Sequence, residues 1–367
     1  MFENKKYYYG IDFLRWFAAF MIVLYHYSLH FKINEIDYSN FLNYLIINRE
    51  FAPNFVWLFW GISGFIFTNV YINKDVTFKK FFISRFARLY PLHLITLILV
   101  AILQFQSFKN FGHTQENYIN DIYHFVLHLF FASEWGFQKG WSYNTPVWSV
   151  SIEIPVYFFF LISLVYLKKL KMIFSILISV TFYLIFPEIF KFFETFKNIS
   201  FTSWQKLAIF HFSTCIFYFF LGSSIYFLCS KFIKYKSIIF YFALILILIS
   251  VYLLNIEDNM NYTKLFPSTF CLILSLILLF ANLNNFFDNF FKKIYLISNT
   301  SYSIYLIHFP LQILLLDIVK KYSLNMNIFS NLTYFFIFII ILQFISYLSL
   351  IFVETPIRKY INKLNRI

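Results

Sequence analysis

The run Ile11–Phe31, IDFLRWFAAFMIVLYHYSLHF, decides the fold. It has about the 20 residues that a helix needs to cross a bilayer, yet it carries Asp12, Arg15 and His26. Lys5 and Lys6 precede it, as basic residues precede a signal peptide, but it has full bilayer length and no small-x-small cleavage pattern. We read it as a retained span. At about 100° per residue, a separation of 11 returns to within roughly 20° of the same direction and a separation of 3 falls about 60° short. Asp12, Arg15 and His26 therefore share one face. His26 lies about 16 Å beyond Arg15 at helical rise. A charge inside lipid costs at least a few kcal/mol, so ionisable residues within spans are the strongest functional pointers. The plain alternative is an Asp12–Arg15 snorkelling pair with a hydrogen-bonded interior His26.

The rest of the chain repeats this apolar character. Of 367 residues, 60% are hydrophobic, 25% aromatic and 13% charged, with mean hydropathy +0.68. A soluble domain carries roughly 25% charged residues, so the chain is read as an all-α polytopic membrane protein. Ten spans are expected, at 11–31, 53–73, 90–108, 146–167, 171–190, 207–229, 237–255, 264–283, 300–319 and 329–353. Together they make one transmembrane domain, 1–367, without a compositional break or the internal repeat that builds many transporters. The net charge of +13 falls in short blocks between apolar runs, which points to topology rather than to nucleic acid. With the N-terminus inside, 19 Lys and Arg lie on the cytoplasmic side and ten outside, with Arg15 within the first span.

Other polar groups within spans mark candidate chemistry. Glu153, in PVWSVSIE, lies roughly 10 Å below the outer end of its helix, close to the depth of His26. A carboxylate there would hold the imidazole in one tautomer and stabilise its charged form. Ser149, four residues before Glu153, is expected to orient that carboxylate. Arg85 and Arg88 are an i, i+3 pair suited to forked contacts with phosphate oxygens, or to ordinary anionic-lipid contact. In SYSIYLIHFPL, the 4 and 3 spacing of Ser301, Tyr305 and His308 lines one stripe, with Tyr302 beside it, and this face should look into a cavity. Glu354 closes the tenth span, where Arg15 or Arg88 would reduce the cost of its charge.

Several chemistries lack their motifs. Cys215, Cys229 and Cys271 lie in apolar runs and read as small hydrophobes. Phosphate-cradling glycine motifs and a nucleophile elbow are absent from the sequence. His124 and His128 have chelate spacing, but no third ligand is near in sequence, and no metal is expected. They sit in DIYHFVLHLFFA, Asp121–Ala132, which is too short to span and is expected to form a re-entrant or interfacial helix, with Trp135 and Trp141 in an interfacial belt.

Five segments in order, IDFLRWFAAFMIVLYHY, SRFARLYPLH, NTPVWSVSIE, SYSIYLIHFPL and VETPIRKYI, resemble the acyltransferase-3 family of integral-membrane O-acyltransferases, which includes O-antigen and exopolysaccharide O-acetylases. The resemblance spans nearly the whole chain, although 168–290 matches only in span count. It aligns Asp12, Arg15 and His26 with the family's first-helix Asp, Arg and His. Arg85 and Arg88 align with its Arg pair, and Trp148, Ser149 and Glu153 with its W-S-x-x-x-E element. Phe13 and Trp16 stand where the family often has Gly, and Val150 where it has Leu. The resemblance implies acetyl-CoA as co-substrate, no permanently bound cofactor, and a saccharide or lipid-linked saccharide acceptor. It also implies contact with membrane lipids and residence in the inner (cytoplasmic) membrane. His26 would be general base or acyl acceptor, with Glu153 its partner. An exporter of saccharides or small molecules is the alternative, and a sterol or lipid acyltransferase would share the chemistry with a different acceptor. The charge distribution predicts both termini in the cytoplasm; a reporter fused after Ile367 should be active only as a cytoplasmic protein, and activity on the outer side would refute this.

Overall fold

A computed structural model describes residues 7–31, 52–114, 118–196, 201–256 and 267–364, and among these all regular structure is helical. Lys5, Lys6, Lys32, Arg49, Lys197, Lys264 and Arg366, used above to orient the chain, lie outside the described residues. The helices are α1 (Tyr9–His30), α2 (Ala52–Tyr71), α3 (Phe78–Phe111), α4 (Ile122–Leu129), α5 (Trp148–Leu184) and α6 (Phe186–Phe196). They continue with α7 (Ser203–Lys231), α8 (Lys236–Ile256), α9 (Pro267–Ala281), α10 (Asn285–Lys293), α11 (Tyr295–Ser298), α12 (Ser301–Lys321) and α13 (Leu332–Ser349). A π-helical turn, Leu350–Glu354, then leads into α14 (Thr355–Leu364).

Each expected span coincides with helix over most of its described residues, 264–266 of the eighth lying outside them; among the described residues six helical stretches are long and apolar enough to cross a membrane, or seven if α9 and α10, bent by 90°, form one span. α1 and α2 are long enough but too polar for that criterion. The difference has a chemical cause: α1 carries Asp12, Arg15, His26 and His30, and α2 carries Asn54, Ser63, Thr68 and Asn69. The expected spans 146–167 and 171–190 meet within α5, which is two helical stretches separated by a break at Lys171 with φ 49° and ψ −121°. The stretch before the break, Trp148–Leu170, rises about 34 Å, enough to cross the hydrocarbon thickness of about 30 Å, so the break falls where one crossing would end and the next begin.

The chain divides into two compact units. The first holds residues 1–18, 53–75 and 152–298; the second holds 19–52, 76–151 and 299–367. In the first unit α8 packs along α9, and α2 crosses α7 with almost no side chain between them. A Cβ on Gly64 would stand 1.7 Å from the Phe219 carbonyl oxygen, and one on Gly222 would stand 1.8 Å from that of Gly61. Thr68 Oγ1 donates to the Gly64 carbonyl at 2.8 Å and shares a 2.9 Å hydrogen bond with Ser223 Oγ across the crossing. Without a hydrophobic force between helices in lipid, close backbone approach and such hydrogen bonds supply the association. In the second unit α12 packs against α3 and α13, and α14 packs back on α3.

Gly64→Ala and Gly222→Ala should each destabilise the protein by at least the roughly 1–3 kcal/mol typical of overpacking, because backbone must move. Gly140→Ala, whose Cβ would meet only the flexible end of Ile119, should be tolerated. Thermal unfolding of the detergent-solubilised variants measures the difference, and equal midpoints would show that the crossing is looser than described.

Candidate functional site

The second unit brings polar residues together on α12. His308 is fully buried, and its Nδ1 lies 3.2 Å from the Ile304 carbonyl. A carbonyl only accepts, so Nδ1 carries the proton and Nε2 keeps a bare lone pair. Nε2 of His308 has no hydrogen-bond partner among the described residues. His26 comes to it from α1, with ring centroids 5.1 Å apart, and Nδ1 of His26 is likewise buried without a partner. His30, one turn along α1, stacks on His26 at 5.7 Å. Three imidazoles thus share one place, of which sequence reading had singled out His26 and His308 but not His30.

The turn before α5 holds this stretch of α12. Tyr305 Oη donates to the Pro146 carbonyl at 2.6 Å and shares a 2.7 Å hydrogen bond with Ser149 Oγ. Asn144 Nδ2 donates to the Leu306 carbonyl at 3.2 Å. Ser149 was expected to orient Glu153; it bonds Tyr305 and the Pro146 carbonyl instead. Helical side chains lean toward the N-terminus, so the partner that reaches Glu153 is Tyr157, one turn later, together with Ser63 of α2 at 3.4 Å. Glu153 belongs to the first unit and His26 to the second. Trp148, at the start of α5, is partly exposed.

At the Ser301 end of α12, Tyr302 Oη donates to the Leu89 carbonyl at 2.6 Å, fixing α12 against α3 directly beyond Arg88. Ser301, the residue before Tyr302, is fully buried. Glu354 was expected to meet Arg15 or Arg88. Its direct bonds come from the hydroxyls of Ser303 and Ser349, the latter at 3.5 Å, while Arg88 and Arg358 act on it electrostatically. Hydroxyls satisfy a buried carboxylate without burying a second charge. Ser303 lies off the 301–305–308 stripe, which is why the spacing did not reveal it; α12 is buried around most of its circumference. Arg85 and Arg88 are half-buried on the early turns of α3. In the first unit, Asp12 accepts a hydrogen bond from Tyr7, and Arg15 is half-buried on the next turn of α1.

The segment between α3 and α5 carries an inside-out helix. In α4, His124 and His128 are buried, whereas Ile122 and, just past the C-terminus, Phe130 are 79% and 72% exposed. This suits an interfacial helix whose apolar side faces lipid. Asp121 caps α4 and accepts a hydrogen bond from His124 Nδ1–H at 2.6 Å, because Nε2 of His124 accepts from the Lys139 backbone N–H. His128 Nε2 meets Ser142 Oγ at 3.2 Å, and its carbonyl accepts from His93 Nε2 at 2.8 Å. Every ring is thus used to pin the loop. No group of three His, Cys, Asp or Glu able to hold a metal occurs among the described residues. Cys215 and Cys229 are buried, and the Cys229 sulfur accepts from Asn282 Nδ2 at 3.2 Å.

A family model described as an acyltransferase domain matches residues 8–351. No curated protein and no solved structure matches the chain.

Burial lowers the His128 pKa to about 3, and the hydrogen bonds from His124 hold Asp121 below its ordinary value. Once unfolded, both groups bind more protons than when folded, His128 from about pH 6.5 downward and Asp121 from about pH 4. The loop should therefore lose stability as pH falls from 7 to 4. Hydrogen exchange across 118–143 should accelerate on acidification, and His128→Gln should flatten the upper part of that dependence. Exchange independent of pH beyond the chemical rate would contradict it.

Proposed function

The chain belongs to the acyltransferase-3 family of membrane acyltransferases, and from that premise we propose that it transfers an acetyl group from cytoplasmic acetyl-CoA to a hydroxyl of a cell-surface saccharide. The observation that carries this reading is the pair of imidazoles, His26 and His308, with ring centroids 5.1 Å apart, each with a buried ring nitrogen that has no hydrogen-bond partner among the described residues. Neutral imidazole with a free lone pair is the group that a hydroxyl needs to lose its proton near neutral pH.

In the direct route, the saccharide oxygen attacks the thioester carbonyl while His26 takes the hydroxyl proton. The tetrahedral intermediate collapses, the C–S bond breaks, and the imidazolium returns the proton to the leaving thiolate. In the covalent route, a ring nitrogen of His26 attacks first, CoA leaves as thiol, and the acylated ring passes the group to the hydroxyl. His308, with its proton fixed on Nδ1, offers Nε2 as acceptor for either a hydroxyl or a charged His26. Arg85 and Arg88 would bind the CoA phosphates through forked, charge-assisted contacts. Support comes from their unit: α12 runs from Tyr302, bonded beside Arg88, to His308, about 9 Å further along at helical rise. CoA is then a co-substrate and not a resident cofactor, and the chain works in the inner membrane with both termini cytoplasmic.

Membranes containing matched amounts of each variant test the proposal with acetyl-CoA and with the O-acetyl signals of cell-surface glycans by NMR. His26→Ala should abolish transfer while acetyl-CoA still binds. Arg85→Ala combined with Arg88→Ala should weaken acetyl-CoA binding by roughly tenfold or more, with Lys restoring it only in part. Substantial transfer by His26→Ala would remove His26 from the mechanism. Unchanged glycan acetylation on deletion of the chain would remove the activity itself.

A further inference from the structure

Gln312 occupies α12 one turn beyond His308, on the same face. Its side chain is fully buried, and neither the amide oxygen nor the amide nitrogen has a hydrogen-bond partner among the described residues. Nε2 of His308 and Nδ1 of His26 are buried and open in the same way. A carboxamide could make up to four hydrogen bonds, and leaving all of them unmade in an apolar interior is among the more costly arrangements a side chain can adopt. Leu at this position would fill the space without that cost. A ligand that fits must present hydrogen-bond donors and acceptors side by side, because the amide offers one of each.

Resting on the saccharide acyltransferase reading, we propose that the Gln312 carboxamide is an acceptor-binding group that recognises a vicinal diol of the sugar. One hydroxyl donates to the amide oxygen and its neighbour accepts from the amide nitrogen, while the reacting hydroxyl of the same ring lies toward His308 and His26. The carboxamide, planar and uncharged, matches a diol in both polarity and spacing, and it takes no part in the acyl transfer. Gln312 thereby selects for acceptors with adjacent hydroxyls and against simple alcohols.

The test uses the full chain in membranes, acetyl-CoA, and methyl hexopyranosides of gluco, galacto and manno configuration with their monodeoxy analogues. Wild type should acetylate at least one parent glycoside, and loss of the hydroxyl adjacent to the acetylated one should raise KM by about tenfold, the worth of one neutral hydrogen bond. Gln312→Leu should raise KM for the parent glycoside by about tenfold, leave kcat and the KM for acetyl-CoA within about twofold, and no longer distinguish parent from deoxy analogue. Gln312→Asn should recover part of the discrimination; should Gln312→Leu fail to bind acetyl-CoA, Gln312→Asn against wild type carries the same comparison. Retained KM and retained discrimination in these variants would overturn the diol site while leaving the transferase reading intact. Wild type that acetylates no glycoside would overturn the reading on which the site rests.

Discussion

Hydrocarbon offers no hydrogen bonds, so each polar group inside these helices must find a partner within the protein or in a ligand. Most of the chain answers locally. Ser213 and Thr214 both bond the Phe210 carbonyl, Ser224 bonds that of Phe220 and Ser275 that of Leu272, each a turn back on its own helix. Such residues cost little and carry no chemistry. Where local partners do not suffice, the answer is tertiary: Ser107 donates a hydrogen bond to Asp317, Ser303 to Glu354, and Tyr302 to the Leu89 carbonyl. These bonds fix α12 against α3 and against the turn that follows α13. Several side chains, among them His26, His308, His128, Tyr218 and Ser346, keep one buried polar atom unmet, whereas Gln312 keeps both of its amide atoms so.

The same constraint explains what could be read in advance. Lipid makes ionisable residues rare, so Asp12, Arg15, His26 and His308 were conspicuous in an apolar sequence, and the 4 and 3 spacing of Ser301, Tyr305 and His308 put three of the polar groups of α12 on one face. It concealed others. A serine or glutamine in a membrane helix has so many ordinary uses that Ser303 and Gln312 carried no signal until their surroundings were known. Partner choice was equally hidden: Ser149 and Glu153 share a helical face, but Tyr305 on another helix claims the former and Tyr157 leans back to the latter. The count of crossings suffered from the converse effect. α1 and α2 are polar enough to fall below an apolarity threshold, and α1 carries the candidate histidine.

α4 shows how the rule changes at a membrane surface. Ile122, Tyr123 and Val126 point away from the protein while both histidines point in, the reverse of a soluble amphipathic helix. Imidazole is well suited to the buried side, since one ring can donate and accept at once and so close a chain of bonds from carboxylate to backbone. The cost is sensitivity to acid, because a ring used as an acceptor loses that bond when protonated.

The π-helical turn at Leu350–Glu354 has a geometric consequence for anyone reading this chain by helical periodicity. Its Thr355 N–H reaches back five residues, to Leu350, rather than four. One residue more than an α-helix would use is accommodated there, so the chain beyond is turned by about 100° relative to an uninterrupted wheel. A helical wheel drawn straight through α13 and α14 would therefore put Arg358 on the wrong side. The turn acts as a phase shift: it lets an apolar helix, α13, hand over to the amphipathic α14 in one continuous rod, with Glu354 at the seam facing α12 instead of lipid.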